Sequence, residues 1–98
     1  MPPRLKIRVP ETWTVEHHTF FDENPRFEDG ICTNLTEDLL QIRCGTSIID
    51  VGFHSGRYLV MWVRGGDWEH PFRRHFCRHR LEVVGIIEEW MKEDGTGA

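Results

Sequence analysis

The sequence has few cysteines and no long hydrophobic run. Its 98 residues include three cysteines, Cys32, Cys44 and Cys77, with no CxxC pair, which argues against the disulfide framework of a secreted protein. The longest nearly apolar run, residues 58–63, is about a third of the ~20 residues that cross a bilayer. Residues 1–10 contain prolines and basic residues but no apolar stretch typical of a signal peptide. We therefore expect a cytoplasmic protein with reduced thiols and no membrane partner.

Recognisable motifs for catalysis are also missing. Gly65-Gly66 lacks the lysine and the spacing of a phosphate-binding loop. No cysteine is paired with a histidine by any known motif, and the usual zinc-ligand spacings are absent. The sequence therefore predicts no catalytic residue, no metal and no cofactor. One alternative remains: His75, Cys77 and His79 are two residues apart and would share a face of a strand, so a small metalloprotein or enzyme could use them.

The length and composition predict one domain spanning residues 1–98. Hydrophobic residues make up 39% of the chain, and four Trp and six Phe supply large apolar surfaces, which is enough for one core. Residues 1–10 contain three prolines and are predicted to form an extended lead-in. Residues 94–98 are predicted to form a frayed tail.

Alternating, β-branched and aromatic residues predict four or five strands. Trp13, Val15 and His17 alternate with polar residues and predict the first strand. Residues 33–44 fit either a short helix capped by Thr36 or a strand, and we favour a strand from about Leu39. Further strands are predicted at residues 47–53, 57–64 and 72–77.

One helix is predicted over residues 80–93, because apolar side chains recur there at spacings of three or four. These side chains are Leu81, Val84, Ile87 and either Trp90 or Met91. Gly85 lies inside this helix and would be explained by close packing on the sheet. The predicted fold is therefore α+β: an antiparallel sheet of four or five strands with one C-terminal helix packed on one face.

The strand at residues 57–64 is apolar on both faces. Tyr58, Val60 and Trp62 lie on one face, and Leu59, Met61 and Val63 lie on the other. Such a strand needs a cover on each side, so a homodimer is plausible. Trp68 lies in a polar loop and, if exposed, would be a binding hot spot. We predict Trp68, Tyr58 and Trp62 as interface residues.

Charge is unevenly distributed along the chain. Residues 11–38 contain eight acids and one arginine, a local net charge of −7, whereas residues 73–80 contain four arginines and no acid, +4. These arginines are Arg73, Arg74, Arg78 and Arg80. They predict a binding site for an anion or an acidic partner at the helix start. The alternative is that they pair with the acidic segment of the same chain.

These patterns favour a non-catalytic protein-binding module. We expect a small intracellular inhibitor or accessory protein, of the immunity or antitoxin type, that acts through charge and shape complementarity with a protein partner. The alternative is a binder of nucleic acid or of a phosphate ligand that uses the arginines of residues 73–80. The net charge of −4 disfavours nucleic acid without excluding it.

Overall fold

The computed structural model describes the backbone of residues 2–96 and the side chains of residues 2–93. Within this range the chain forms seven strands and one helix. In chain order these are β1 (Thr14–His18), β2 (Phe27–Glu28), β3 (Ile31–Cys32), β4 (Leu40–Cys44), β5 (Ser47–His54), β6 (Arg57–Arg64), β7 (Arg73–Cys77) and α1 (Arg80–Thr96).

Five of these strands form one antiparallel sheet in the order β1-β4-β5-β6-β7. The neighbours along the chain from β4 to β7 are also neighbours in the sheet, as expected for strands joined by short turns. β2 and β3 form a separate two-stranded hairpin. The predicted α+β fold, with four or five antiparallel strands and a C-terminal helix on one face, is confirmed. The strand interpretation from about Leu39 is also confirmed, because β4 begins at Leu40.

The helix packs on β6 and β7 with a set of side chains that differs in part from the one predicted. Val83, Ile87, Trp90 and Met91 are its buried apolar residues. Ile87 and one of Trp90 and Met91 were predicted on this face, and the predicted Val84 is partly buried against the core, whereas the prediction for Leu81 was wrong because it is 61% exposed. Full burial of each of these apolar side chains contributes about 1.5–3 kcal/mol. Gly85 does not pack on the sheet, because a Cβ there would meet no atom within 4 Å.

The first strand carries an irregularity that the sequence did not predict. β1 pairs with β4 through Val15 opposite Ile42 and His17 opposite Gln41, and the register shifts between Val15 and His17. A bulge of this kind turns the following side chains to the other face of the sheet. The predicted alternation that placed Val15 and His17 on one face was therefore wrong.

A close backbone approach explains the glycine in the middle of β5. A Cβ added to Gly52 would overlap the backbone carbonyl of Glu37. The segment before β4 lies on this part of the sheet, held by hydrogen bonds from the Phe53 amide to the Thr36 carbonyl and from the Leu39 amide to the Val51 carbonyl. Only a residue without a side chain fits at this position.

The N-terminal lead-in joins the core, and the C-terminal helix is longer than predicted. The lead-in is extended, and its Leu5 amide donates to the Phe20 carbonyl at 2.8 Å, while the Leu5 side chain belongs to the core. The helix continues through Thr96, three residues past its predicted end, and residues 97–98 of the predicted tail lie outside the described residues. No helix in the described part of the chain combines the length and the apolar character that a membrane span needs.

The two sides of the five-stranded sheet differ. The side that faces α1 carries the core residues of each central strand, such as Ile49, Val60 and Trp62. Because side chains alternate along a strand, the register places the next residues on the opposite side, which we name the open face. This face carries Gln41, Arg43, Ile48, Asp50, Gly52, His54, Arg57, Leu59, Met61, Val63, Arg74 and Phe76, and on it the Glu37 carbonyl lies against Gly52.

Candidate functional site

Two of the four arginines predicted to form an anion site have partners within the chain. Arg73 donates two hydrogen bonds to the carboxylate of Glu93 on α1, with N–O distances of 2.5 and 2.9 Å. These hydrogen bonds raise the pKa of Arg73 and lower the pKa of Glu93. The Arg73 guanidinium therefore joins β7 to the helix.

Arg80, the first residue of α1, contacts the acidic segment. Its Nε donates to Asp22 Oδ1 and its Nη1 donates to Asn24 Oδ1, both at 2.7 Å. The Arg80 side chain is only 18% exposed. The internal pairing that the sequence offered as an alternative is therefore present at Arg80.

Arg74 and Arg78 are exposed and form no hydrogen bond or ion pair with other described residues. Arg73 and Arg74 are consecutive in β7, so their side chains leave the strand on opposite faces. The structure does not bring the four guanidinium groups together. The spacing of the arginines does not reveal their partners, because Glu93 and Asp22 are distant from Arg73 and Arg80 in the sequence.

The predicted interface aromatics fall into two groups. Tyr58 and Trp62 are each 1% exposed, because they face α1 inside the core. The Trp62 ring lies 6.5 Å from Trp13 and 6.0 Å from Trp90, centroid to centroid. Tyr58 and Trp62 therefore cannot contact a partner in this fold. Trp68 is 43% exposed in the loop between β6 and β7, so its predicted interface role stays a prediction.

The alternative of a metal or enzyme site at His75, Cys77 and His79 is not supported by the positions of these side chains. Cys77 is buried, and its burial raises the pKa of the thiol, whereas both histidines are exposed. A raised thiol pKa disfavours the thiolate that binds zinc or acts as a nucleophile. Among the described residues, no three His, Cys, Asp or Glu side chains converge in a way that could hold a metal ion.

A short hairpin carries the most exposed large apolar side chain in the described part of the chain. Ile31 is 69% exposed, and Phe27 on the partner strand is 52% exposed. The two strands pair through Phe27 opposite Cys32 and Glu28 opposite Ile31. We name residues 27–32 the acidic hairpin, because Glu28 and Asp29 lie at its tip.

The tip of the acidic hairpin is a two-residue turn. Asp29 and Gly30 both have positive φ, 51° and 78°, as a type I′ turn requires. Aspartate and glycine are favoured at these positions. The Asp29-Gly30 dipeptide is typical of such a turn, but strands of two residues each are too short for a periodic pattern, so the hairpin was not predicted.

The base of the hairpin is fixed by Asn34. Its Oδ1 accepts a hydrogen bond from the Arg26 amide at 2.8 Å, and its Nδ2 donates to Glu23 Oε1 at 3.0 Å and to the Asn24 carbonyl at 2.9 Å. Arg80 holds the same segment from the side of α1. These contacts order the chain on the N-terminal side of the hairpin.

The hairpin and the tip of β5–β6 border a cleft of about 470 Å³. Its lining residues are Phe27, Gly30, Ile31, Cys32, Leu35, Phe53, Ser55 and Gly56. The Phe27 ring rests against Phe53, with the ring centroids 6.3 Å apart. Cys32 packs against the core, so the hairpin that carries the exposed side chains is held against the domain.

The charge at the hairpin tip is not compensated within the described chain. Asp22 is paired with Arg80, and Glu23 lies 3.6 Å from Arg26. Glu28 and Asp29 are exposed and form no ion pair with described residues. The tip therefore combines two apolar side chains with two free negative charges.

The fold and this surface define a small two-layer α+β domain with an exposed acidic hairpin. No family model, curated protein or solved structure matches the chain.

Proposed function

We propose that the protein is a non-catalytic binding module of the inhibitor or accessory type, and that its acidic hairpin docks on a basic protein surface. One observation carries this proposal: Phe27 and Ile31 are exposed on a supported hairpin whose tip bears the unpaired Glu28 and Asp29. Immunity proteins and antitoxins act by such complementarity, so we propose that class.

The apolar side chains would supply most of the binding free energy. Ile31 is 69% exposed and Phe27 is 52% exposed, so burial against a partner would contribute on the order of 1–2 kcal/mol for each side chain. Binding energy at protein interfaces is concentrated in a few such central anchors, which polar residues surround.

The acidic tip would select the partner. Glu28 and Asp29 favour a basic surface and increase the association rate at low salt. The contacts of Asn34 and Arg80 order the preceding segment in the free protein, which lowers the entropic cost of binding. We propose the cytoplasm as the location, a setting in which Cys32, Cys44 and Cys77, all free in the structure, stay reduced.

The proposal is tested by affinity capture from the native cells with matched baits. The first bait is the wild type, the second carries Phe27→Ser and Ile31→Ser, and the third carries Trp68→Ser. Trp68 is the matched control because it is an exposed aromatic beyond the other end of β6, which is roughly 23 Å long at about 3.3 Å per residue.

We expect the wild type and the Trp68→Ser variant to retain the same basic protein and the hairpin variant to lose it. Elution should begin at moderate salt, because the acidic tip contributes. Loss of the partner on Trp68→Ser with normal capture by the hairpin variant would overturn the proposal and assign the interface to the loop after β6.

A further inference from the structure

The two edge strands of the five-stranded sheet differ in how accessible their backbones are. β1, at one edge, has a register shift between Val15 and His17. The lead-in lies beside its last residue, because Arg4 Nε donates to the His18 carbonyl at 2.8 Å. Bulges and covering segments of this kind protect an edge strand against further pairing. β7, at the other edge, pairs with β6 in unbroken register and with no other strand of the described chain.

The middle of β7 is exposed on both sides of the sheet. His75 is opposite Val60 in the register, so it lies on the side of α1, and yet it is exposed. Arg74 and Phe76 lie on the open face and are also exposed. The helix therefore leaves the centre of the strand uncovered, although Cys77 at its end is buried. Every second residue of β7 directs its backbone amide and carbonyl away from β6, so these groups are available to a further strand.

Positive charge lies on the open-face side of this edge and at its end. Arg74 projects from the open face, and Arg78 follows the last residue of β7. Neither forms a hydrogen bond or an ion pair with other described residues. Arg57, at the start of β6, has its guanidinium carbon 4.3 Å from the centroid of the Phe76 ring, so it adds positive charge on the same side.

The carboxylates near β7 lie on the side of α1. Glu93 binds Arg73 through two hydrogen bonds. Glu89 is close enough to contribute to the raised pKa of Arg73. Glu82 similarly contributes to the raised pKa of the Cys77 thiol. The edge of β7 is therefore basic on the open-face side, and its positive charge is offset only on the α1 side.

We propose that β7 accepts an extended acidic segment of a partner protein as a sixth strand of the sheet. Backbone hydrogen bonds to an exposed sheet edge supply affinity in this mode of recognition, and alternate side chains supply specificity. Carboxylates at every second position of the segment would lie on the open-face side, beside Arg74 and Arg57. Uncharged side chains would lie on the α1 side, beside His75. A second copy of β7 fits less well, because it would bring the arginines of two basic strands together.

A synthetic peptide tests this inference on the wild-type protein. The probe has blocked ends and about nine residues, in which glutamate alternates with valine. We expect a weak complex with a dissociation constant on the order of 0.1–1 mM, because the free peptide loses conformational entropy when it binds. In a titration followed by NMR, the backbone amides of residues 73–77 should shift, and some of them should exchange more slowly with solvent. No shift of these amides up to about 2 mM peptide would overturn the inference.

Two control peptides separate the charge from the backbone. One replaces each glutamate with lysine, and the other keeps the glutamates but carries a methyl group on every backbone nitrogen. Each should bind at least about tenfold more weakly than the probe, because the first has the wrong charge and the second cannot donate backbone hydrogen bonds. Equal binding of the lysine peptide would contradict the acidic partner. Equal binding of the methylated peptide would contradict strand addition.

Arg74→Glu tests the position of the carboxylates, with Lys6→Glu as the matched control. Lys6 is an exposed cation of the lead-in, so both substitutions change the net charge by the same amount. Arg74→Glu should raise the dissociation constant of the probe at least about fivefold, and Lys6→Glu should change it by less than about twofold. Equal effects in variants that are folded by urea unfolding would overturn the proposed placement. The peptide measurements on the wild type remain decisive if Arg74→Glu fails to fold.

Further outcomes distinguish other occupants and the proposed function. Shifts of the β7 amides that depend on protein concentration, without peptide, would assign the edge to a second copy and overturn the inference. Single-stranded DNA that shifts the same amides at lower concentration than the probe would do so in favour of nucleic acid. The Phe27→Ser, Ile31→Ser variant should bind the probe as the wild type does, because its substitutions are on the acidic hairpin. Loss of binding in that variant would place the peptide on the hairpin, whereas capture of a basic protein tests the proposed function independently.

Discussion

Replacing Arg80 with alanine tests whether this arginine holds the acidic segment or is available to a ligand. The guanidinium donates one hydrogen bond to Asp22 and one to Asn24, both at 2.7 Å. Arg80→Ala removes both bonds at once. It also leaves Oδ1 of Asp22 without the hydrogen-bond donor that α1 supplies.

The expected loss follows from the burial of the two partners. A hydrogen bond to a charged group contributes about 1.5–3 kcal/mol when it is well shielded. Arg80 is 18% exposed but Asp22 is 47% exposed, so solvent screening reduces the contribution of this pair. We expect Arg80→Ala to lower the free energy of unfolding by about 1.5 kcal/mol, which lowers the melting temperature by roughly 7 °C in a domain of this size.

Urea unfolding measures this loss, and Arg78→Ala is the matched control. Arg78 belongs to the same basic run, is exposed and has no partner among the described residues, so its replacement should change stability by less than about 0.5 kcal/mol. A double-mutant cycle with Asp22→Ala should give a coupling energy of about 1 kcal/mol. Equal effects of Arg80→Ala and Arg78→Ala, or zero coupling, would refute the structural role of Arg80.

Two glycines and one buried carboxylate give further predictions. Gly52→Ala should lower the free energy of unfolding by about 3 kcal/mol, because the new Cβ overlaps the Glu37 carbonyl. Gly85→Ala should raise the free energy of unfolding by about 0.5–1 kcal/mol, because the new Cβ meets open space in a helix. Urea unfolding of both variants checks this, and a more stable Gly52→Ala than Gly85→Ala would contradict the packing described for β5. Burial raises the pKa of Asp50, so its contribution to stability is present below its unfolded pKa, about 4, and is lost as the pH rises through its folded pKa. Asp50→Asn, which keeps an acceptor for the Gln41 side-chain amide, should therefore gain stability relative to the wild type as the pH rises above about 4. A difference that does not change with pH would contradict the explanation.

The sequence predicted the sheet well because its central strands carry clear patterns. Apolar residues recur there at every second position, a spacing that fits a strand and no other regular structure. These residues are Ile49 and Val51 in β5, and Tyr58, Val60 and Trp62 in β6. The buried face of the helix was predicted except at its start, where Leu81 is exposed and Val83 is buried instead. Apolar residues occur at consecutive positions, Val83-Val84 and Ile86-Ile87, so several helical phases bury a similar apolar area.

The candidate site was harder to predict, because it depends on contacts between distant residues. The basic run gave no sign that Arg80 pairs with Asp22, 58 residues away. The sequence does not show which face of β6 is covered by α1. Trp62 was therefore predicted to be an interface residue, although it lies in the core. The Asp29-Gly30 turn was the one local signal of the hairpin.

Site-specific photocrosslinking in the native cells tests the central claim most directly. A photoreactive residue at position 31 reports on the acidic hairpin, and the same residue at position 46, an exposed threonine in the β4–β5 turn, is the control. We predict that position 31 forms an adduct with a single basic protein and that position 46 does not. Adducts with the same protein from position 46 but none from position 31 would contradict the assignment of the acidic hairpin as the docking surface.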